Sequence, residues 1–216
     1  TAAPSPRPVA PPPEARPAEA RPVAAGWGRI VNGPEEELRR FREEVSTCRL
    51  CPRCDSRSRV LPGFGPAKAD LVVLLPPPDE REELEDGMML GDPGSVFDKM
   101  LLNVVKTDRS RSYLMPALFC RGGKPTAEEL AACRPLVARQ LAILKPKVVL
   151  AMGEEVLALL GSDARRGAWL SWNNLDVMPT WHPNELVRDP TKRRPTMEAL
   201  QQVGERLAQV PLFGAR

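Results

Sequence analysis

Four of the five cysteines in this 216-residue chain fall into two pairs, and their spacing constrains the fold more than any other feature. Cys48 and Cys51 form a C-x-x-C pair within CRLCPRC, residues 48–54, while Cys120 and Cys133 lie far downstream, flanking RGGKPTAEELAA. Thiolates at i and i+3 on a tight turn both reach one metal centre, and two from a distant segment complete a four-sulfur shell. Such a shell staples the entry of a domain to its middle. An iron-sulfur cluster takes four cysteines without histidine; zinc takes the same count, usually as two short knuckles; disulfides need an oxidising compartment. The second pair is too widely spaced for a knuckle, which favours a cluster and leaves zinc or unligated thiols open. Cys54 could replace Cys48 or Cys51, so spacing alone leaves the register open.

A hydrophobic content of 42% is enough for one core, and a net charge of +3 permits nucleic-acid binding without demanding it. No run of about eighteen apolar residues is present, so no membrane span is expected. The opening TAAPSPRPVAPPPEARPAEARPVAAG is broken by proline and has no apolar stretch of the secretory kind. Cysteines without export features point to a reducing cytoplasm, which removes the disulfide reading. Residues 1–26 are Pro, Ala, Arg and Glu with almost no large apolar side chain, and are expected to form a disordered tail. The tail reads first as a tether and secondly as a docking site for a protein partner. The domain is expected over residues 27–216, with Trp27 and Ile30 at its start.

Asn32-Gly33-Pro34 with three glutamates after it reads as a helix start, and the helix delivers Cys48. A Gly/Pro loop, RSRVLPGFGPAKAD, leads to LVVLL, residues 71–75, an apolar run of the kind a buried parallel strand gives. PPPDEREELED interrupts it. Pro93-Gly94-Ser95 opens a helix over VFDKMLLNVV, YLMPALF is a strand candidate over 113–119, and Thr126 with Glu129 forms a capping box for the helix carrying Cys133. KVVLAM, residues 147–152, is the clearest strand; Gly153 then turns into EEVLALLG, SDARRGAWLSWNN reads as loop, LDVMPT as a last strand and TKRRPTMEALQQVGERLAQ as a last helix. The alternation calls for a mostly parallel sheet with helices on both faces, an α/β fold whose ligands sit at the carboxyl ends of the strands. Those ends are Pro76, Cys120, Gly153 and His182.

From about Glu36 to about Val203 the chain resembles the iron-sulfur, type-four branch of the uracil-DNA glycosylase superfamily. CRLCPRCDSRSRVLPGFGPAKADLVVLL, GDPGSVFDKML, CRGGKPTAEELAACRPLVARQLAILKPKVVLAMG and MPTWHPNELVRDP carry the likeness. The resemblance implies a three-layer α/β/α sandwich with a four-stranded parallel sheet, and extrusion of a damaged base from DNA into a pocket at the strand ends. Counting back from Pro62-Gly63, it picks Cys48 and Cys51 as ligands of a 4Fe-4S cluster together with Cys120 and Cys133, across a shorter loop than the family's, and leaves Cys54 out.

Cutting the bond between uracil and deoxyribose needs a reader for the base edge, stabilisation of the departing anion, and a carboxylate or positioned water for the cationic sugar. The family carries these on a G-E-A-P-G loop, an asparagine and a His-Pro loop. Here the first aligns with Leu75-Pro76-Pro77-Pro78-Asp79, which puts Pro76 where the family has glutamate, and the asparagine position, four residues before Cys120, holds Pro116. Proline has neither a carboxylate nor an N–H, so it can neither activate water nor read a base. Asp79, Glu80, Glu82 and Asp86 offer a replacement acid, although a charge run more often faces solvent. Met89 or Leu90 stands where the family stacks an aromatic ring, with Met88 beside them as core or lining. His182, the only histidine, lies in the intact TWHPNELVRDP motif, where the family hydrogen-bonds the uracil carbonyl as charge develops.

Arg188, Lys192, Arg193 and Arg194 follow His182 where the family runs beside the DNA backbone; Arg57, Arg59 and Arg121 are similar candidates near the cysteines. Trp169 and Trp172 read either as base-stacking rings or as packing over the sheet edge. The expectation is a monomeric iron-sulfur protein that binds DNA and excises uracil weakly or not at all. A working glycosylase with another lesion preference, and an interaction module recruiting a partner through its tail, are the alternatives.

Overall fold

The computed structural model describes residues 33–209. The expected tail and the start of the domain at Trp27 lie outside them.

Five short strands form one sheet: β1 (Leu71–Leu75), β2 (Ser112–Pro116), β3 (Val148–Met152), β4 (Leu170–Trp172) and β5 (Leu175–Thr180), in the order β2-β1-β3-β5-β4. β1, β2, β3 and β5 are parallel, as the apolar runs predict, because strands covered on both faces are built mostly from apolar side chains. Alternate residues feed two cores. Val72 and Leu74 pack under α1 (Gly33–Ser46), α4 (Ala127–Leu144) and α5 (Glu154–Leu160), whereas Leu71, Val73 and Leu75 pack under α3 (Gly91–Met100), α6 (Pro183–Arg188) and α7 (Arg193–Gln209). Helices therefore cover both faces, giving the three layers. No helix among the described residues is long and apolar enough to cross a membrane.

The sheet differs from the sequence reading at its edges. The expected loop SDARRGAWLSWNN contains β4, which pairs antiparallel with β5 through Leu170↔Val177 and Trp172↔Leu175. The two linking residues, Asn173 and Asn174, have φ of 51° and 62°, the left-handed pair that a tight hairpin needs and that asparagine tolerates. β2 stops at Pro116 rather than running to Phe119. Ala117 N–H donates to Leu75 O at 2.7 Å, but Pro76, Pro77 and Pro78 then offer β2 no further donors.

Two helices were absent from the sequence reading. α2 (Glu80–Glu85) lies within PPPDEREELED, opened by a capping box of Asp79 and Glu82, and α6 starts on a second box formed by His182 and Glu185. The last helix begins at Arg193, after a short 3-10 turn over Pro190–Lys192.

The outer edge of β2 is closed by the preceding loop, where Phe64 and Leu114 exchange N–H···O bonds of 2.8 Å each. Gly63 makes that approach possible: its φ is +113°, and a Cβ there would lie 2.4 Å from Leu114 O and 2.8 Å from the Tyr113 ring. Gly63→Ala is expected to lower stability by about 2–3 kcal/mol. The measurement is urea unfolding, where the midpoint should fall with the slope unchanged.

Candidate functional site

Two sites sit at the carboxyl end of the sheet. The first is a pocket lined by Asp79, Arg81, Glu82, Met89, Leu90, Gly91, Asp92, Pro93, His182 and Asn184. Its walls are α2, the Met88–Leu90 turn and the start of α6. Met89 and Leu90 share the pocket with His182; Pro76 and Pro116 end β1 and β2 and lie outside its lining.

The Met88–Leu90 turn is held by charge rather than by apolar packing alone. Met89 has φ +55°, an unfavourable conformation for a long side chain, and costs on the order of 1 kcal/mol unless its surroundings fix it. Arg109 does so: its guanidinium donates to Met88 O at 2.8 Å and Met89 O at 3.1 Å and pairs with Asp98 at 2.8 Å. Glu82 accepts the Met89 N–H at 2.7 Å, and Gly94 leaves room for the Met89 carbonyl. Arg109 was not singled out in the sequence, where nothing distinguishes it from any other surface arginine.

The acidic run divides by geometry. Asp79 and Glu82 line the pocket, joined by Asp92, which was not among the sequence candidates; Glu80 and Asp86 do not. Burial raises the Glu82 carboxyl above its ordinary range, opposed by the N–H groups of Asp79 and Met89. Glu83, also unnoticed in the sequence, points elsewhere and is 1% exposed.

His182 caps α6, and the Asn184 N–H donates to its Nδ1 at 3.3 Å. That bond leaves the ring proton on Nε2. Burial pushes the imidazole down to about 4, with Glu185 pulling weakly the other way. The ring is therefore neutral at pH 7, with one N–H donor left over, the form that can stabilise an oxygen gaining negative charge.

The basic residues after His182 are unequal. Arg188 is exposed and carries no ion pair among the described residues, while Lys192 lies 3.3 Å from Glu185, Arg193 donates to Leu186 O at 3.2 Å, and Arg194 pairs with Glu198. Trp169 donates to Gln202 at 3.1 Å with Arg206 over its ring, and Trp172 is buried in the core: both are packed rather than free to stack on a base.

The second site is an apolar hollow lined by Cys48, Cys51, Cys120 and Cys133 with Leu50, Val60, Phe119, Ala132 and Leu136. The end of α1, a 3-10 turn over Pro52–Asp55, the chain after β2, and α4 each bring one or two of these thiols. Cys54 faces Asp55 at 3.5 Å and does not line the hollow. All five cysteines are free, and among the described residues no three His, Cys, Asp or Glu side chains gather as they would around a single metal ion. Arg57 donates to Cys120 Sγ at 3.0 Å and also bonds Cys48 O. Buried Arg53 pairs with Glu129 at 3.0 Å and donates to Gly123 O at 2.8 Å. Burial pushes the Cys120 thiol up and that of Cys133 up to about 12.

Residues 62–203 match the model of the uracil DNA glycosylase superfamily. The chain belongs to that superfamily. Its relatives include type-4 uracil-DNA glycosylases from Sulfurisphaera tokodaii, 25% identical over 79% of this chain and 84% of theirs, and Saccharolobus solfataricus, 24% identical over 79% and 86%. That of Thermotoga maritima is 28% identical over 77% of this chain and 93% of its own. In this superfamily chain His182 and Pro183 stand at the pocket, His182 in its lining with Asp79, Glu82, Asp92, Arg81 and Asn184 as the other polar groups.

The lowered His182 value gives stability a signed pH dependence. The unfolded chain takes up a proton near pH 6.5 and the folded one only near pH 4, so between them the unfolded state binds more protons and stability falls as pH drops. With one histidine in the chain, the ring resonances are unambiguous: they should stay fixed from pH 8 to pH 5 in the folded protein and move only below. In His182→Gln the histidine-specific loss of stability across that window should vanish in chemical unfolding.

Proposed function

We propose that this chain is an iron-sulfur member of the uracil-DNA glycosylase superfamily that binds DNA and accepts an extruded base beside His182, releasing uracil weakly or not at all. The observation that carries the reading is the pairing of a retained donor with two prolines: a neutral His182 shares the pocket with Asp79, Glu82, Asp92, Arg81 and Asn184, while proline stands at positions 76 and 116, at the ends of β1 and β2. A uracil reader must accept from N3–H and donate to O4 at once, as a carboxamide does; carboxylates only accept. Asn184, the carboxamide in the lining, is exposed at the start of α6; without an amide at the end of β2 and without an acid at position 76, the chemistry retains the anion-stabilising donor of His182. Uracil release is expected to be slower by a factor on the order of 10⁴ than in a member carrying both groups. The test is base release from single- and double-stranded DNA bearing uracil, hypoxanthine or xanthine, with His182→Ala as the control.

A second reading rests on Asp79, Glu82 and Asp92. They put carboxylates in the same pocket as His182, which suits an active glycosylase, a hydrolase of base-excision repair, with a different lesion preference. Release of hypoxanthine or xanthine that disappears in His182→Ala would favour it over the first.

DNA contact is supported by Arg188, which is exposed and forms no ion pair among the described residues, whereas Lys192 pairs with Glu185. Arg188→Ala should weaken binding evenly across sequences and reduce the slope of log K against log salt by about 1. Lys192→Ala should do less, because its charge is already matched within the protein.

For the cysteines we propose a 4Fe-4S cluster on Cys48, Cys51, Cys120 and Cys133. Four thiols without imidazole, lining one apolar hollow, match the ligand type and number of that group. When bound it would supply a structural cross-link and a redox-capable centre, while Arg57 and Arg53 hold the loops that present the sulfurs. The thiols raised by burial must lose protons on loading, so iron uptake should weaken as pH falls. Cys133→Ser should lose the bound iron and visible absorbance, and Cys54→Ser should retain both. The five free thiols support a cytoplasmic setting.

A further inference from the structure

Glu83 is a buried carboxylate that neither site described above uses. It is 1% exposed, and a charge so placed costs several kcal/mol unless it is paired and hydrogen-bonded. Its partners all come from the cysteine side of the protein. Oε1 accepts the N–H groups of Ser58 at 2.9 Å and Arg59 at 3.3 Å, on the segment that follows Cys51. Oε2 lies 2.8 Å from Arg121 Nε, one residue after Cys120. Arg121 in turn donates to Ser56 O at 2.9 Å, and Arg57 between them donates to Cys120 Sγ.

The residue before it looks the other way. Successive positions on a helix point about 100° apart, and Glu82 lines the base pocket, accepting the Met89 N–H at 2.7 Å and the Asp79 N–H at 3.1 Å. α2 is only six residues long, so its position depends on its side chains more than on its own ladder. One short helix therefore has one carboxylate on the cysteine-bearing loops and the next on the pocket wall.

We infer that Glu83 is a positioning residue that couples occupancy of the cysteine centre to the shape of the base pocket. The inference rests on the reading that the four cysteines bind iron. Iron on Cys51 and Cys120 fixes the two loops that follow them, which aligns the Ser58 and Arg59 N–H groups and the Arg121 guanidinium on one carboxylate. α2 is then seated, and with it Glu82 and the Met89 turn. Without the metal the loops lose that register, and the pocket wall loosens before the rest of the fold does.

Amide hydrogen exchange on the full chain tests this, with and without reconstitution by ferrous iron and sulfide. In the unsubstituted protein, loading should slow exchange at Glu82, Glu83 and Met89 about tenfold more than in α7. Glu83→Gln should bind the same amount of iron, with the same visible absorbance, and lose that selective slowing. The double change E83Q/R121Q removes both charges and leaves none buried alone, so it reports the same loss if the single variant folds poorly. Slowing that survives in these iron-loaded variants, or that spreads evenly through α7, would overturn the coupling. Failure of the unsubstituted protein to take up iron would instead overturn the cluster reading on which the coupling rests.

Discussion

Four parallel strands that are apolar on both faces leave the chain few options. Val72 and Leu74 need one layer of helices, and Leu71, Val73 and Leu75 need another. Polar chemistry is thereby pushed to the strand ends, where the chain must turn and where backbone groups lack sheet partners. The pocket and the cysteine hollow are both built there, from the segments following β1, β2 and β5. Their closeness follows from the order of the strands: β2 and β1 are neighbours, so the chain after Cys120 meets the chain after Leu75.

What could be read from the sequence divides along the range of the forces involved. β1 and β3 were legible because a strand buried on both sides is a continuous apolar run, and α4 because Thr126 and Glu129 declare its start. β4 was hidden by its length: three residues with a half-exposed face give no alternation to count. The signal lay in Asn173-Asn174, a pair that reads as a two-residue hairpin once each asparagine is allowed a positive φ. α2 was hidden differently. Asp79-x-x-Glu82 is the same kind of capping pattern as Thr126-x-x-Glu129, but the acids around it made the whole segment look like a solvated charge run.

The candidate site was legible where a motif is local and obscure where a pair is distant. His182 and the cysteine pairs stand in compact stretches of sequence. Arg109 and Glu83 do not, because what marks each is a set of partners eleven or more residues away, set by the fold alone. Lys192 and Arg193 show the converse. A cluster of cations read as a phosphate contact is partly spent on Glu185 and the Leu186 carbonyl, where it holds the junction between α6 and α7.

The two prolines at strand ends have a structural logic of their own. Pro116 lies on an edge strand, where a missing N–H breaks no ladder, and Pro76 begins a run that ends the pairing of β1 with β2. Both are therefore compatible with a stable sheet. The Met89 turn is a contrasting case. Its left-handed residue is kept in place by Arg109, Glu82 and the space at Gly94, an arrangement that stabilises a shape rather than a core. The wall and His182 line one pocket, so the same contacts that fix the Met89 turn also fix the shape of the space beside His182.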